Sequence, residues 1–416
     1  YAAILKDYGS LADKTIPKPA NYDPMEFDGC CNEFCSSPSK LTSNVTAKKM
    51  LEYGKLPNGK YMINWPGKGN DIYLNIISLN ETERAKALEI AKAKTLRFLY
   101  FLQTQFGFKN LGLAEDEFPT KDHLPLIPYH REGRRLQGLV RFKIQHISNP
   151  FNDSTPYYRT GISVGDYPID HHHRENLKAP QHLGFYPIPS FNIPLGALIP
   201  ANGTNGIIVA EKGISVSNVV NGTTRLQPCV MLTGQAAGTL AALCVLQKKQ
   251  AKEVSVRDVQ QQLLNSKAYI MPYYDVKPNH PHFEAIQKIG ATGILRGVGQ
   301  PYLWANRTWF YPDSLVVVNE LKTNCKPLNI SVSSNQAFLS IADAIELIQQ
   351  HQKNLLNQSI KISSIEQIQS LWNNDWQLKN FNLQRAITRE ELAVLLNYTL
   401  NPFNQIQINH YGNFIY

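Results

Sequence analysis

Through the first 80 residues the chain never sustains an apolar run. KTIPKPANYDP and KLPNGKYMINWPGKGND place Pro-Lys-Pro, Asn-Gly and Pro-Gly between short hydrophobic pieces, which predicts loops and short strands. The pattern then turns helical. In ETERAKALEIAKAKTLRFLYFLQTQFG the apolar positions Ala87, Leu88, Ala91, Leu96, Leu99, Leu102 and Phe106 recur at helical spacing, and Gly107 reads as a C-terminal cap. A polar, acidic stretch follows, AEDEFPTKDHLPLIPYHREGRR, and after it two strand-like segments, LQGLVRFKIQHI and ISVGDYPI.

Residues 206–248 form a second well-patterned unit. GIIVAEK predicts a short buried strand, GISVSNVVNGTTRLQ a loop, and PCVMLTGQAAGTLAALCVLQKKQ a helix with Pro228 in its first turn, where a missing N–H costs nothing. Gly234, Ala236, Ala237, Gly238 and Ala241 leave little bulk on this helix. Glycine inside a helix costs about 1 kcal/mol relative to alanine, so two of them predict close packing on a sheet or a flat ligand. Beyond residue 250 Gln, Asn and Ser dominate. Helical patterns begin at Ser255, His282, Ser340, Ser364 and Thr388, the last with Glu391 as a capping box.

Composition narrows the classes. With 43% hydrophobic and 18% charged residues the chain can bury a core, and its length suits two or three domains. No uninterrupted apolar run approaches the ~18 residues of a bilayer span, so no membrane span is expected. The net charge of +9 is scattered rather than gathered into a stripe, which argues against nucleic acid and leaves solubility or a mild preference for anionic ligands. Among the six cysteines, CCNEFC lacks metal-site spacing. The adjacent pair permits disulfides without requiring them, and a secreted or periplasmic location is expected.

Three constellations carry candidate chemistry. In the 206–248 unit the helix N-terminus offers unpaired N–H groups and partial positive charge, and Gly222 with Thr223–Thr224 lets backbone approach a ligand; an ordinary buried strand–helix unit explains the same residues. DYPIDHHH sets His171 and His173 on one face of an extended chain and His172 on the other. They suit a hydrogen-bonded polar loop, or a metal site completed by His182 or Asp166. HREGRR offers Arg131 and Arg134 to clamp an anionic group, or an ion-paired junction using Glu132. Asp116, Glu117 and Asp122 form an acidic loop that suits a cation, sugar hydroxyls or plain solvation.

GIIVAEKGISVSNVVNGTTRLQPCVMLTGQAAGTLAAL resembles the closing segment of the FAD-dependent oxidoreductase family with the glutathione-reductase-type flavin fold. The likeness continues upstream through IPLGALIP, GDYPIDHHH, PYHREGRRLQG and LAEDEFPTKDHLP to KTIPKPANYDP, covering nearly all of residues 1–250. It implies an oxidoreductase whose flavin accepts a hydride at N5. It implies FAD against Gly213, Ile214, Ser215, Asn221, Gly222, Arg225, Gln227, Pro228, Gly234 and Gln235. His171 or His172 would take the substrate proton, and Arg131 or Arg134 would orient an anionic or hydroxylated group of a small-molecule substrate; the acidic, aromatic-rich middle of the chain, with attachment to a cell wall, suggests a carbohydrate-like one. The implied fold is α/β plus α: an incomplete FAD/NAD(P)-binding-type fold with a mixed α/β substrate or cap domain (1–160), a returning segment of the FAD-binding domain (161–250) and a mostly helical C-terminal domain (251–416). The family's G-x-G-x-x-G turn after a first strand is not found, so a missing N-terminal nucleotide-binding segment, and hence a fragment, is expected. Further on, HPHFEAIQKIGATGILRG and ITREELAVLL resemble pieces of S-layer homology segments, which hold cell-wall polysaccharide. A second expectation from another class is a non-catalytic surface or carbohydrate-binding protein that kept the scaffold; a metal-dependent hydrolase ranks behind both.

Overall fold

In the computed structural model, described over residues 1–173, 176–352 and 364–416, the turn-rich N-terminal stretch forms a small antiparallel sheet. Its strands are β1 (Ala3–Asp7), β2 (Lys55–Leu56) and β3 (Lys60–Ile63), with α1 (Ala47–Tyr53) leading into β2. Asn58 and Gly59 both take positive φ between β2 and β3, a conformation these two residue types adopt at least cost. Next comes α2 (Glu81–Gln105), started by a capping box between Asn80 and Glu83, and then β4 (Leu111–Leu113). The sheet order is β2-β3-β1-β4, with Leu5 of β1 opposite both Tyr61 and Leu113. Phe98, Leu99, Phe101 and Leu102 of α2 bury against Leu5, Phe27 and Leu111. Gln103 is polar yet fully buried because it accepts from Ile16 N–H and donates to the Lys14 and Leu111 carbonyls. These elements belong to one compact unit, Tyr1–Gly133 with His172–His182.

The other unit is Arg134–His171 with Leu183–Tyr416. It contains α3 (Ile144–Ser148), the antiparallel pair β5 (Gly161–Gly165) and β6 (Phe191–Pro194), α4 (Asn218–Thr224), α5 (Gln227–Gln247) and α6 (Val256–Asn265). Then follow α7 (Phe283–Thr292), the pair β7 (Val298–Gln300) and β8 (Arg307–Trp309), α8 (Val318–Cys325), α9 (Ile341–Gln352), α10 (Ile365–Ser370) and α11 (Arg389–Tyr398). A single hydrophobic core runs from Phe142 through Leu240 and Ile286 to Ile408. Compactness divides the chain at 133/134, with 172–182 returning, and residues after 250 share their core with those before.

Several expectations are corrected. LQGLVRFKIQHI forms no strand: Gly138 and Phe142 make only isolated bridges, to Pro200 and Val216, and its end becomes α3. GIIVAEK is likewise not a strand; Val209 N–H reaches the Leu198 carbonyl, but no partner edge continues the ladder. GISVSNVVNGTTRLQ is not all loop, because Ser217 accepts from Val220 N–H and starts α4. The helices beginning near Ser255, His282, Ser340, Ser364 and Thr388 stand where their start signals put them. Finally, α5 is 21 residues long and carries no charge, so by length and composition it could cross a bilayer, although Thr, Gly and Gln interrupt its apolar run.

Candidate functional site

In the first unit, residues distant in sequence meet around Asp71. Its Oδ2 lies 2.7 Å from His172 Nδ1 and its Oδ1 accepts from Arg131 at 2.8 Å. Arg131 also donates to Asn64 Oδ1 at 2.7 Å, and its guanidinium lies over the Tyr129 ring. All three ionisable side chains are largely buried. Burial by itself raises the Asp71 carboxyl, but the His172 hydrogen bond and the Arg131 charge outweigh it and hold the group below its ordinary range. With Nδ1–H donated to this carboxylate, the neutral His172 ring keeps its basic lone pair on Nε2. His173 is committed elsewhere, its Nε2 3.0 Å from the Pro180 carbonyl. Asp116 and Glu117 pair with Lys60, and Asp122 with Lys92, so the acidic loop is ion-paired. Asp71 and Asn64 were missed from sequence, since nothing local marks residues some 60 to 100 positions from their partners.

In the second unit the segment Tyr167–His171 lies along α4. Gly222 permits this: a Cβ there would stand 2.9 Å from His171 Cδ2 and 3.0 Å from Ile169 Cγ2. Its carbonyl accepts from Asp170 N–H, and Thr223 Oγ1 donates to the Tyr167 carbonyl. Arg225, almost fully buried, donates to both the backbone carbonyl and the carboxylate of Asp170. It is thus a tether between the two segments. His171 is also buried; its Nδ1 accepts from Leu183 N–H, which occupies a lone pair a proton acceptor would need. Sequence proximity put His171 and His172 together, but they fall in different units. Arg131 and Arg134 are divided the same way.

The 213–217 loop is threaded by backbone bonds from Leu136 to Gly213 and from Phe142 to Ser215. Within it, Ser215 Oγ and the neighbouring Asn218 Oδ1 are inaccessible and have no hydrogen-bond partner among the described residues. Ile214 and Asn221 are buried, while Gln227, Pro228, Gly234 and Gln235 are exposed. No side chain caps the first turn of α5. Close behind it Cys229 is a poor nucleophile: burial pushes its thiol up to about 12, with Asp166 contributing. The close packing on a sheet expected of Gly234 and Gly238 is not made among the described residues. Neither has anything within 4 Å of a Cβ position, and α5 instead packs through Cys229, Thr233, Ala236 and Leu240. Its opposite face is open, with Met231 73%, Val245 77% and Leu246 78% exposed.

A mixed α/β protein with an uncapped helix N-terminus beside a loop of unsatisfied buried polar atoms has the means to hold a polar planar ligand. Residues 6–263 match the model of the FAD dependent oxidoreductase family, and the chain belongs to that family. No curated protein and no solved structure matches it. Flavin-dependent oxidation or reduction is accordingly its general chemistry, with FAD as the cofactor the family implies. The residues present fit such a group: Ser215 and Asn218 have buried polar atoms without partners among the described residues, and no side chain among them caps the first turn of α5.

Proposed function

We propose that the protein oxidises a small hydroxylated, carbohydrate-like substrate, with His172 taking the hydroxyl proton. The observation that carries this reading is the His172 Nδ1–Asp71 Oδ2 contact at 2.7 Å. Flavin, when bound, supplies a two-electron acceptor for the substrate's hydride. The loop at Gly213, Ile214 and Ser215, Asn221–Gly222 of α4, and Gln227, Pro228, Gly234 and Gln235 of α5 would hold it. Asp71 fixes the His172 tautomer and stabilises the imidazolium formed on proton uptake, and Arg131 keeps Asp71 ionised. Arg134 would attract an anionic substituent. Within their own unit, His171 and Arg225 hold the Tyr167–His171 segment along α4.

On α5, Met231, Val245 and Leu246 are exposed, a face another element could cover. A nucleotide-binding strand–turn–helix segment covering it would supply the ADP-binding half, and the whole would work in a secreted or periplasmic setting. In flavin-loaded protein, His172→Ala should slow flavin reduction by substrate on the order of 10²-fold. An unchanged rate removes His172 from the mechanism.

A non-catalytic carbohydrate-binding role has its own supporting observation. Phe185 and Trp304 are exposed with ring centroids 4.4 Å apart, and Tyr167 lies 6.3 Å from each. Aromatic faces of this kind stack on sugar C–H groups. That role requires polysaccharide binding that is lost in Trp304→Ala and no flavin absorbance in any preparation. A flavin spectrum in the intact protein decides for the enzyme.

A further inference from the structure

His280 and His282 flank Pro281 just before α7, and Glu390 stands in the first turn of α11, 108 residues beyond His282. Among the described residues their ligand atoms form a group of three within 4.8 Å of one another. His280 Nε2 lies 3.7 Å from Glu390 Oε1, and His282 Nδ1 makes a short hydrogen bond to the same oxygen. The other nitrogen of His282, Nε2, lies 2.8 Å from the Trp376 carbonyl.

We propose that His280 Nε2, His282 Nδ1 and Glu390 bind a divalent transition metal, with zinc the best fit, which clips the segment before α7 to the start of α11. Donor type comes first: two imidazoles and one carboxylate are a ligand set zinc accepts, at about 2.0–2.2 Å from each atom. Orientation is the second point. His282 donates through Nε2 to a backbone carbonyl, the outer contact that fixes a metal-binding histidine with its other nitrogen facing the ion. Position is the third. The proton shared between His282 Nδ1 and Glu390 occupies the place a cation would take, and metal uptake replaces it. Neither histidine nor Glu390 is fully buried, so an ion can enter and keep a solvent ligand in the fourth position.

Two adjustments are required. The His282–Glu390 pair must open by about 1 Å to admit an ion, since two ligands at the bond lengths above are more than 3 Å apart in a tetrahedral site. His280 Nδ1 accepts from His282 N–H at 3.2 Å, so ligation through Nε2 moves the ring proton to Nδ1 and gives up that contact. A long neutral hydrogen bond contributes less than a coordinate bond returns.

The test is Zn²⁺ titration of the full chain by calorimetry and thermal unfolding, repeated with His280→Gln and Glu390→Gln. One equivalent should bind and raise the unfolding temperature, and each substitution should weaken binding at least tenfold. No uptake overturns the proposal, as does uptake unchanged in both variants, the result expected if Cys30, Cys31 and Cys35 hold the zinc. Cobalt substitution of the wild-type chain gives a check that needs no variant. A site of two histidines and a glutamate shows no thiolate-to-metal charge-transfer band, and finding one overturns the assignment.

Discussion

Asp71 illustrates how one residue organises several. It binds His172 through one oxygen and Arg131 through the other, so removing its charge affects both orientation and packing. Asp71→Asn can present an amide N–H to His172 Nδ1 and thereby favour the wrong tautomer. Flavin reduction should slow by about the same 10²-fold as in His172→Ala, and the double variant should be no slower than His172→Ala alone. Additive losses in stopped-flow measurements would mean that the two residues act separately. Arg225 belongs to a different category. Its bonds go to Asp170, so Arg225→Met should cost stability, on the order of 2 kcal/mol for the charged hydrogen bonds lost, whether or not flavin is present. Urea unfolding of the flavin-free chain checks this.

Helices α4 and α5 adjoin in sequence, yet their glycines do opposite things. At Gly222 a methyl group would press on His171, Ile169 and the Asp170 carbonyl at 2.9–3.1 Å. Gly222→Ala should therefore destabilise the chain by about 1–3 kcal/mol through overpacking. At Gly234 and Gly238 a methyl group would meet nothing. Each Gly→Ala change there should stabilise the chain by up to about 1 kcal/mol through helix propensity alone. Denaturant midpoints of the three variants decide the matter. A loss at Gly234 or Gly238 would show that this face is covered in the native protein, as a nucleotide-binding segment packed on α5 requires. Small residues on a helix thus mark either an existing close contact or a face prepared for one, and only the surroundings distinguish them.

For the molecule as a whole, titration follows from groups buried in each unit. Burial, with a smaller contribution from Lys143, lowers His146 from 6.5 to about 4. Its Nδ1 accepts the Lys143 N–H, which a protonated ring cannot do. The unfolded chain therefore binds more protons than the folded one between about pH 6.5 and pH 4, and stability falls as pH drops through that window, by on the order of 2 kcal/mol. Asp71 works in the same direction at lower pH: its depressed carboxyl contributes stability above its unfolded pKa, and protonation removes it. Unfolding followed from pH 7 to pH 4 should show the loss, and His146→Gln should flatten the slope. A slope unchanged in that variant assigns the acid sensitivity to other groups.

The sequence by itself determined the family, through an ordered series of motifs, and it determined where helices begin. Both are local: a cap needs only a few neighbouring residues, and Asn80 with Glu83 or Thr388 with Glu391 forms its reciprocal bonds within one turn. Strands were less legible because a strand exists only through its partner; LQGLVRFKIQHI and GIIVAEK have the right pattern and no continuous edge to pair with. Three further matters were decided by tertiary structure alone. Residues after 250 share one core with those before. Adjacent His171 and His172 belong to different units, one accepting a backbone N–H and the other held by a carboxylate. The third is the meeting of Asp71, Arg131 and His172, and of His280, His282 and Glu390, across separations of 60 to 110 residues. Local pattern records how a segment satisfies its own backbone; which distant charges it meets depends on how the apolar faces stack.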